Sequence, residues 1–426
     1  MKQTISLLAV FSMGAVFAAS TVTVTEVTSD AESRMVTVKY TLSGDPAIVT
    51  AEFFENGAAI PEAETANAVG DVNRYVEPTG AGEAHTILWS TDAISPPRTT
   101  LGQVSVALTA WTPDAPPDYL VFDLLDPTNL PYHAAKFYTS TNALPGGLGD
   151  IRYRQDFMVF RRIPAAGIVW MMGSPVDESG RSSEANRETR HRVKLTNDYF
   201  MAVFEATQGQ CPYLFAGTTY VGKLTDNSLN NDGDPSYAQG KMCFGYLKTA
   251  STDAADKNLV IGRMRLRTGV AFDLPTEAQW EFACRAGTGT ALYNNQNLNN
   301  NLTSQMERSL GWIYYANQGK ADDGYAYGPR PVGRKLPNAW GLYDMYGNVA
   351  ELCRDSDLVA YPADDAIHVD PLSDTSHYTS SGGHVLRGGY YNKGANDCRS
   401  AARLREGNAG AYLGYGFRLL APIPLY

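Results

Sequence analysis

The sequence predicts a multidomain protein, an all-β sandwich over residues 20–125 followed, after a linker at 126–150, by a mixed α+β domain over 151–426 with much irregular structure. Two observations carry this. Residues 20–125 alternate apolar and polar positions in short runs broken by Gly, Pro and Asp, as antiparallel strands do. Beyond residue 151 the alternation gives way to sequence rich in Gly, Asn, Tyr and Trp, with few helical periods and long irregular stretches such as 294–303 and 355–383. Loops of that length inside a compact domain are usually functional or tied down.

Taken in order, residues 1–19 have the layout of a secretory signal peptide. Lys2 supplies the charge, Ile5 to Phe17 the apolar run, and Val16-Phe17-Ala18 a small-residue cleavage site. The apolar run is shorter than the ~20 residues of a membrane helix, so the expected location is secreted, periplasmic or cell-surface, with no transmembrane segment. The strands are expected at Val22–Val27, Met35–Tyr40, Val49–Phe54, Thr86–Trp89 and Val104–Trp111. Their spacing suits an immunoglobulin-like sandwich.

Composition narrows the function. With 44% apolar and 11% aromatic residues the chain can build large cores, and its net charge of −10 comes with dispersed Lys and Arg. No basic stripe is available to follow a phosphate backbone, which excludes nucleic acid as the expected partner. The five cysteines include no C-x-x-C, and the six histidines do not fall at zinc-ligand spacing. Nor is there a Gly-x-Ser-x-Gly elbow, a P-loop or a Gly-x-Gly-x-x-Gly turn.

In the C-terminal domain, Leu274-Pro-Thr-Glu-Ala-Gln-Trp-Glu contains a capping box, Thr276 with Gln279, that opens a helix burying Trp280, Phe282, Ala283 and Cys284, with Gly287 suited to its left-handed end. Thr207 and Gln210 repeat the device after a strand expected at Tyr199–Phe204. Asp344, Asn348 and Glu351 fall within eight residues of one another beside Gly347 and Val349. Carboxylate, amide and backbone oxygens could therefore converge on one hard cation; the alternative is a polar turn capped by Asn348.

Trp170-Met-Met-Gly-Ser, Glu205-Ala-Thr, the Leu274 motif, Gly341-Leu-Tyr-Asp-Met-Tyr-Gly-Asn-Val-Ala-Glu351, Leu386-Arg-Gly-Gly389, Cys398-Arg-Ser and Gly416-Phe-Arg418 follow one another as the signatures of one family do. In them the chain resembles the formylglycine-generating-enzyme, or sulfatase-modifying-factor, family. The resemblance implies a fold related to C-type lectins and structural calcium. Its ligands would be Asp344, Gly347, Val349 and Glu351, with a second site mapping to Asn317, Gln318, Asp323 and Tyr325.

The resemblance also implies what is missing. The oxidases of the family carry a cysteine pair shortly after this Gly-Gly that binds copper(I), and soft thiolates suit that ion. Here Gly389 is followed by Tyr390 and no cysteine until Cys398. Copper is thus not expected, and Cys398 is a catalytic candidate only if oxidase chemistry persists with other ligands. Cys353 and Cys398 could form a disulfide, the alternative being two buried thiols.

Segments 390–397 and 404–415 are dense in Tyr, Asn and Gly, a composition that offers aromatic contact area with adaptable hydrogen bonding, as paratopes do. The candidate binding residues are Tyr390, Tyr391, Asn392, Asn396, Asn408, Tyr412 and Tyr415. The expected function is recognition of an extracellular peptide, protein or glycan with catalysis lost. A sulfatase-modifying oxidase or related oxygenase, and a structural surface component, are the alternatives.

Overall fold

The computed structural model describes residues 3–5, 20–94, 101–125, 134–184, 187–220, 234–248, 256–298, 309–314, 328–357, 360–373, 383–405 and 411–425. The described chain is mostly β with few helices, and divides into one compact unit of 1–122 with 132–150 and another of 123–131 with 151–426.

In the first unit the alternation becomes strands at Thr21–Asp30, Met35–Ser43, Ala47–Glu55, His85–Ser90 and Val104–Trp111. Thr21–Asp30, Met35–Ser43 and His85–Ser90 pair antiparallel in one sheet, whereas Ala47–Glu55 pairs with Val104–Trp111 in a second. The inward residues of both, among them Val36, Val38, Tyr40, Phe53, Ile87 and Trp89, form a single core. Period-two burial places one face of each strand there. Within the stretch 126–150, Ala135–Tyr138 is a strand antiparallel to Tyr119–Asp123, and Phe137 N–H donates to Asn73 O.

The second unit is built from small sheets stapled by side chains. Phe157–Ile163, Tyr199–Ala202 and the C-terminal Leu420–Pro422 are neighbours in one of them, so the end of the domain closes on its beginning. Val169–Met172, His191–Lys194 and Ile367–Val369 form a second. Ala350–Ser356 lies at the centre of a third, between His384–Arg387 and Tyr415–Gly416. The capping box forms as expected: Gln279 N–H donates to Thr276 Oγ1 and Thr276 N–H to Gln279 Oε1, opening the helix Glu277–Arg285. The left-handed exit begins at Ala286, one residue before the Gly287 expected for it. The Thr207–Gln210 box also closes in both directions, although the strand before it ends at Ala202 rather than Phe204.

The helix Glu277–Arg285 is buried on its charged positions too. Glu281 is paired with Arg285 and Arg387, and Glu277 with Arg403. Among the described residues no helix is long and apolar enough to cross a membrane.

Candidate functional site

Two neighbouring features occupy the region the motifs pointed to: a buried acidic centre, and a tyrosine cluster that its turn helps to hold. The centre is built on the turn 344–349, where Asp344, Gly347 and Asn348 all have positive φ. Gly347 is required there, because a Cβ would lie 2.0 Å from Trp312 O. Asn348 works in both directions, accepting from Arg330 N–H at 2.7 Å and donating to Glu205 Oε2 at 2.6 Å. Val349 N–H donates to Glu205 Oε1.

Glu351, at the start of its strand, accepts from Arg418 in a bidentate pair and from Trp280 Nε1 at 2.6 Å. Asp344 accepts from Gly333 N–H at 2.6 Å, but its Oδ1 is buried without a hydrogen-bond partner.

Three fully buried carboxylates, Glu205, Asp344 and Glu351, thus share the region with Arg418. Burial, then the charges of Asp344 and Glu351, push Glu205 well above the carboxylate range. Burial raises Asp344 to about 6 against the Gly333 hydrogen bond and Arg418, which pull it down. The orphaned oxygen and the surplus negative charge are what a hard cation would relieve. Glu351 has less to offer, both oxygens being already engaged. Among the described residues no three His, Cys, Asp or Glu side chains cluster as metal ligands, so any cation would rely on backbone oxygens as well. Asn317, Gln318, Asp323 and Tyr325 lie outside the described residues.

Cys398 sits in the short 3-10 helix Ala395–Cys398, fully buried. Gly389, at φ +70°, packs so close that a Cβ there would meet Cys398 Sγ at 2.3 Å. Burial, then the Asp397 charge, push the thiol upward, the wrong direction for a nucleophile or a soft-metal ligand. Of the two readings left open for Cys353 and Cys398, the structure has the two buried thiols. None of the five cysteines is in a disulfide, and Cys353 and Cys398 are each buried in the same apolar core.

The tyrosines do come together. The Tyr390 ring centroid lies 5.7 Å from Tyr391, 5.6 Å from Tyr412 and 6.2 Å from Tyr415, with Tyr412 and Tyr415 5.0 Å apart. Tyr391 is buried and anchors the group to the acidic centre, its N–H donating to Asn348 O. Tyr412 is exposed, and Tyr390 and Tyr415 are half-buried. Burial and the Tyr412 hydroxyl raise the Tyr390 phenol, which stays a neutral donor and acceptor.

Three supports were not legible in advance. Met242 exchanges backbone hydrogen bonds with Tyr412 and Tyr415, Gly414 gives the Tyr390 ring its space, and Lys393 Nζ sits 5.8 Å from the centroid of that ring. Asn392 is half-buried beside them. Asn396 is exposed, with its Oδ1 turned toward Gly180, where a Cβ would meet it at 2.5 Å. Asn408 lies outside the described residues.

Residues 155–423 match the Sulfatase-modifying factor enzyme 1-like domain, and the chain belongs to this FGE-sulfatase family. It is 33% identical over 155 residues to the formylglycine-generating enzyme of Thermomonospora curvata, covering 35% of this chain and 48% of that one. It is 31% identical over 159 residues to the mouse formylglycine-generating enzyme, covering 35% and 38% respectively. The chain therefore matches less than half the length of either relative. Among solved structures, Treponema denticola variable protein 1 aligns over 62% of this chain and 95% of its own, with a TM-score of 0.44 and 20% identity. PvdO from Pseudomonas aeruginosa aligns over 62% and 94%, with a TM-score of 0.39 and 20% identity.

Proposed function

We propose that this protein is an exported, non-catalytic member of the family that recognises an extracellular peptide, protein or glycan through Tyr390, Tyr412 and Tyr415. The observation that carries the reading is the convergence of these rings from two segments onto one partly exposed cluster, while the lone cysteine near the Gly-Gly motif is sealed beneath Gly389. Aromatic rings with polar hydroxyl edges give contact area at small entropic cost and suit either a sugar face or a peptide backbone. The N-terminal unit, read as an immunoglobulin-like module, would serve as a spacer.

Peptide and glycan arrays probed with the full chain test this. Tyr412→Ala is expected to weaken any saturable ligand at least tenfold, corresponding to roughly 1.4 kcal/mol or more, with thermal stability unchanged because Tyr412 is exposed. Binding that survives both Tyr412→Ala and Tyr415→Ala would place recognition elsewhere.

Structural calcium belongs to the same reading. Asp344, with its unpartnered oxygen, would hold the ion together with Gly347 and Val349 through their carbonyls and with Glu351. When bound, a divalent cation supplies charge neutralisation to the carboxylates and stiffens the turn. Because a ligand of the native state stabilises by about 2.7 kcal/mol at a hundredfold excess over its Kd, calcium is expected to raise the melting temperature of chelator-treated protein, and Asp344→Asn to reduce that shift. An unchanged melting temperature with and without chelator contradicts the assignment.

A further inference from the structure

The sheet Val169–Met172, His191–Lys194, Ile367–Val369 carries an unusual solvent face. His191 and Val193 of its central strand point inward, and Arg192 and Lys194 outward. Register pairs Met171 and Ile367 with Arg192, and Val169 and Val369 with Lys194. Directly paired residues share a face, so each cation is flanked across the sheet by two apolar side chains. Those four are 46% exposed at Val169, 39% at Met171, 43% at Ile367 and 56% at Val369. Contiguous exposed apolar groups of this kind mark interaction surfaces.

The cations decide which. Arg192 donates to the backbone carbonyl of Asp365, and among the described residues neither Arg192 nor Lys194 is ion-paired with a carboxylate. In a chain of net charge −10, two cations without carboxylate partners at the centre of an apolar face are a recognition feature. We propose that this face docks a partner protein segment whose apolar side chains are interleaved with carboxylates, the carboxylates meeting Arg192 and Lys194 and the apolar groups covering the two outer strands.

A second copy of this chain fits poorly, because a two-fold contact would set each pair of cations against its own image. An anionic lipid surface fits less well than a peptide. Membrane-docking faces bury a continuous apolar strip and keep their cations on the polar side, whereas these cations lie between the apolar residues. A lipid surface would also bring negative charge against the exposed Asp364, Asp365 and Asp370 around the outer strand, while a peptide can confine its carboxylates to the central strand.

The test uses the full chain and a fluorescein-labelled amphipathic peptide with a leucine face interleaved with glutamates, read by anisotropy. A version with lysine for glutamate and vesicles of phosphatidylglycerol and phosphatidylcholine are compared alongside. The glutamate peptide is expected to bind saturably and to weaken with salt, and the lysine peptide not to bind. Lys194→Glu and Met171→Asp are each expected to lower affinity about tenfold or more, with an unchanged melting temperature and with Tyr412→Ala having no effect. Arg192→Glu supplies a second charge reversal should Lys194→Glu fail to fold. No binding of the glutamate peptide, equal binding of the lysine peptide, indifference to the charge reversals, or binding to vesicles alone each overturns the proposal. A loss reproduced by Tyr412→Ala would instead assign the peptide to the tyrosine surface.

Discussion

Replacing Arg418 with methionine is expected to destabilise the C-terminal domain by roughly 3–5 kcal/mol, the cost of leaving a buried charge without its partner. Arg418 is fully buried and makes a bidentate pair with Glu351, and it also donates to the carbonyls of Ala202 and Tyr343. Its charge opposes the mutual repulsion of Glu205, Asp344 and Glu351. Methionine fills much of the volume but leaves these carboxylates uncompensated. Denaturant unfolding measures the loss. A second substitution, Asp344→Asn, should recover part of it by removing one negative charge, so that repulsion can be told from a simple packing defect. A loss below about 1 kcal/mol, the scale of an exposed pair, contradicts this account of the centre.

The second large effect is on acid stability. His384, on the strand His384–Arg387, stacks on Phe244 with ring centroids 3.4 Å apart and planes within 6°. Burial lowers its pKa to about 3. The native state therefore holds the ring neutral, whereas the unfolded chain protonates near 6.5. Stability from this group is complete above the unfolded value and is lost as pH falls from about 6.5 toward 3. At pH 4 the loss amounts to about 3 kcal/mol, taking 1.36 kcal/mol per pKa unit.

Asp355 works in the opposite sense. Burial, then the Glu277 charge, raise it to about 7, so its contribution falls as pH rises from the usual carboxylate range to about 7. Comparison with His384→Phe isolates the histidine. The variant is expected to keep the stack and to lose less stability than the wild type between pH 6.5 and 4. Parallel pH profiles for the two proteins contradict the assignment.

Sequence read some of these features and not others, for reasons visible in the residues. The strands of the first unit were legible because alternation is local, and each expected run lies within or largely coincides with an observed strand. The capping box was legible because its partners are three residues apart. The helix that follows it is legible in sequence only on its apolar side, Trp280, Phe282, Ala283 and Cys284; Glu277 and Glu281 are buried as well, against Arg403 and Arg387, more than a hundred residues away.

No period reports a pairing at that separation. It also explains how a domain with so little regular structure is held, since bidentate arginines do the stapling that long strands do elsewhere. In the candidate site, tyrosine density predicted the cluster, but nothing local distinguished Asn396, which turns toward Gly180, or singled out Met242, which anchors Tyr412. The cysteines were ambiguous for the same reason: spacing could not separate a disulfide from two thiols buried in one core.

The proposal that this chain meets its ligand through tyrosines and does not oxidise a cysteine is checked by incubating the full chain with copper(I), oxygen and a sulfatase-type Cys-x-Pro-x-Arg peptide, following the peptide mass beside the Thermomonospora curvata enzyme and the Cys398→Ser variant. The expected result is a peptide left unchanged by this protein under conditions in which the comparison enzyme converts it. Conversion of the peptide cysteine to formylglycine by this chain, lost on Cys398→Ser, would contradict the account and make Cys398 the centre of an active site.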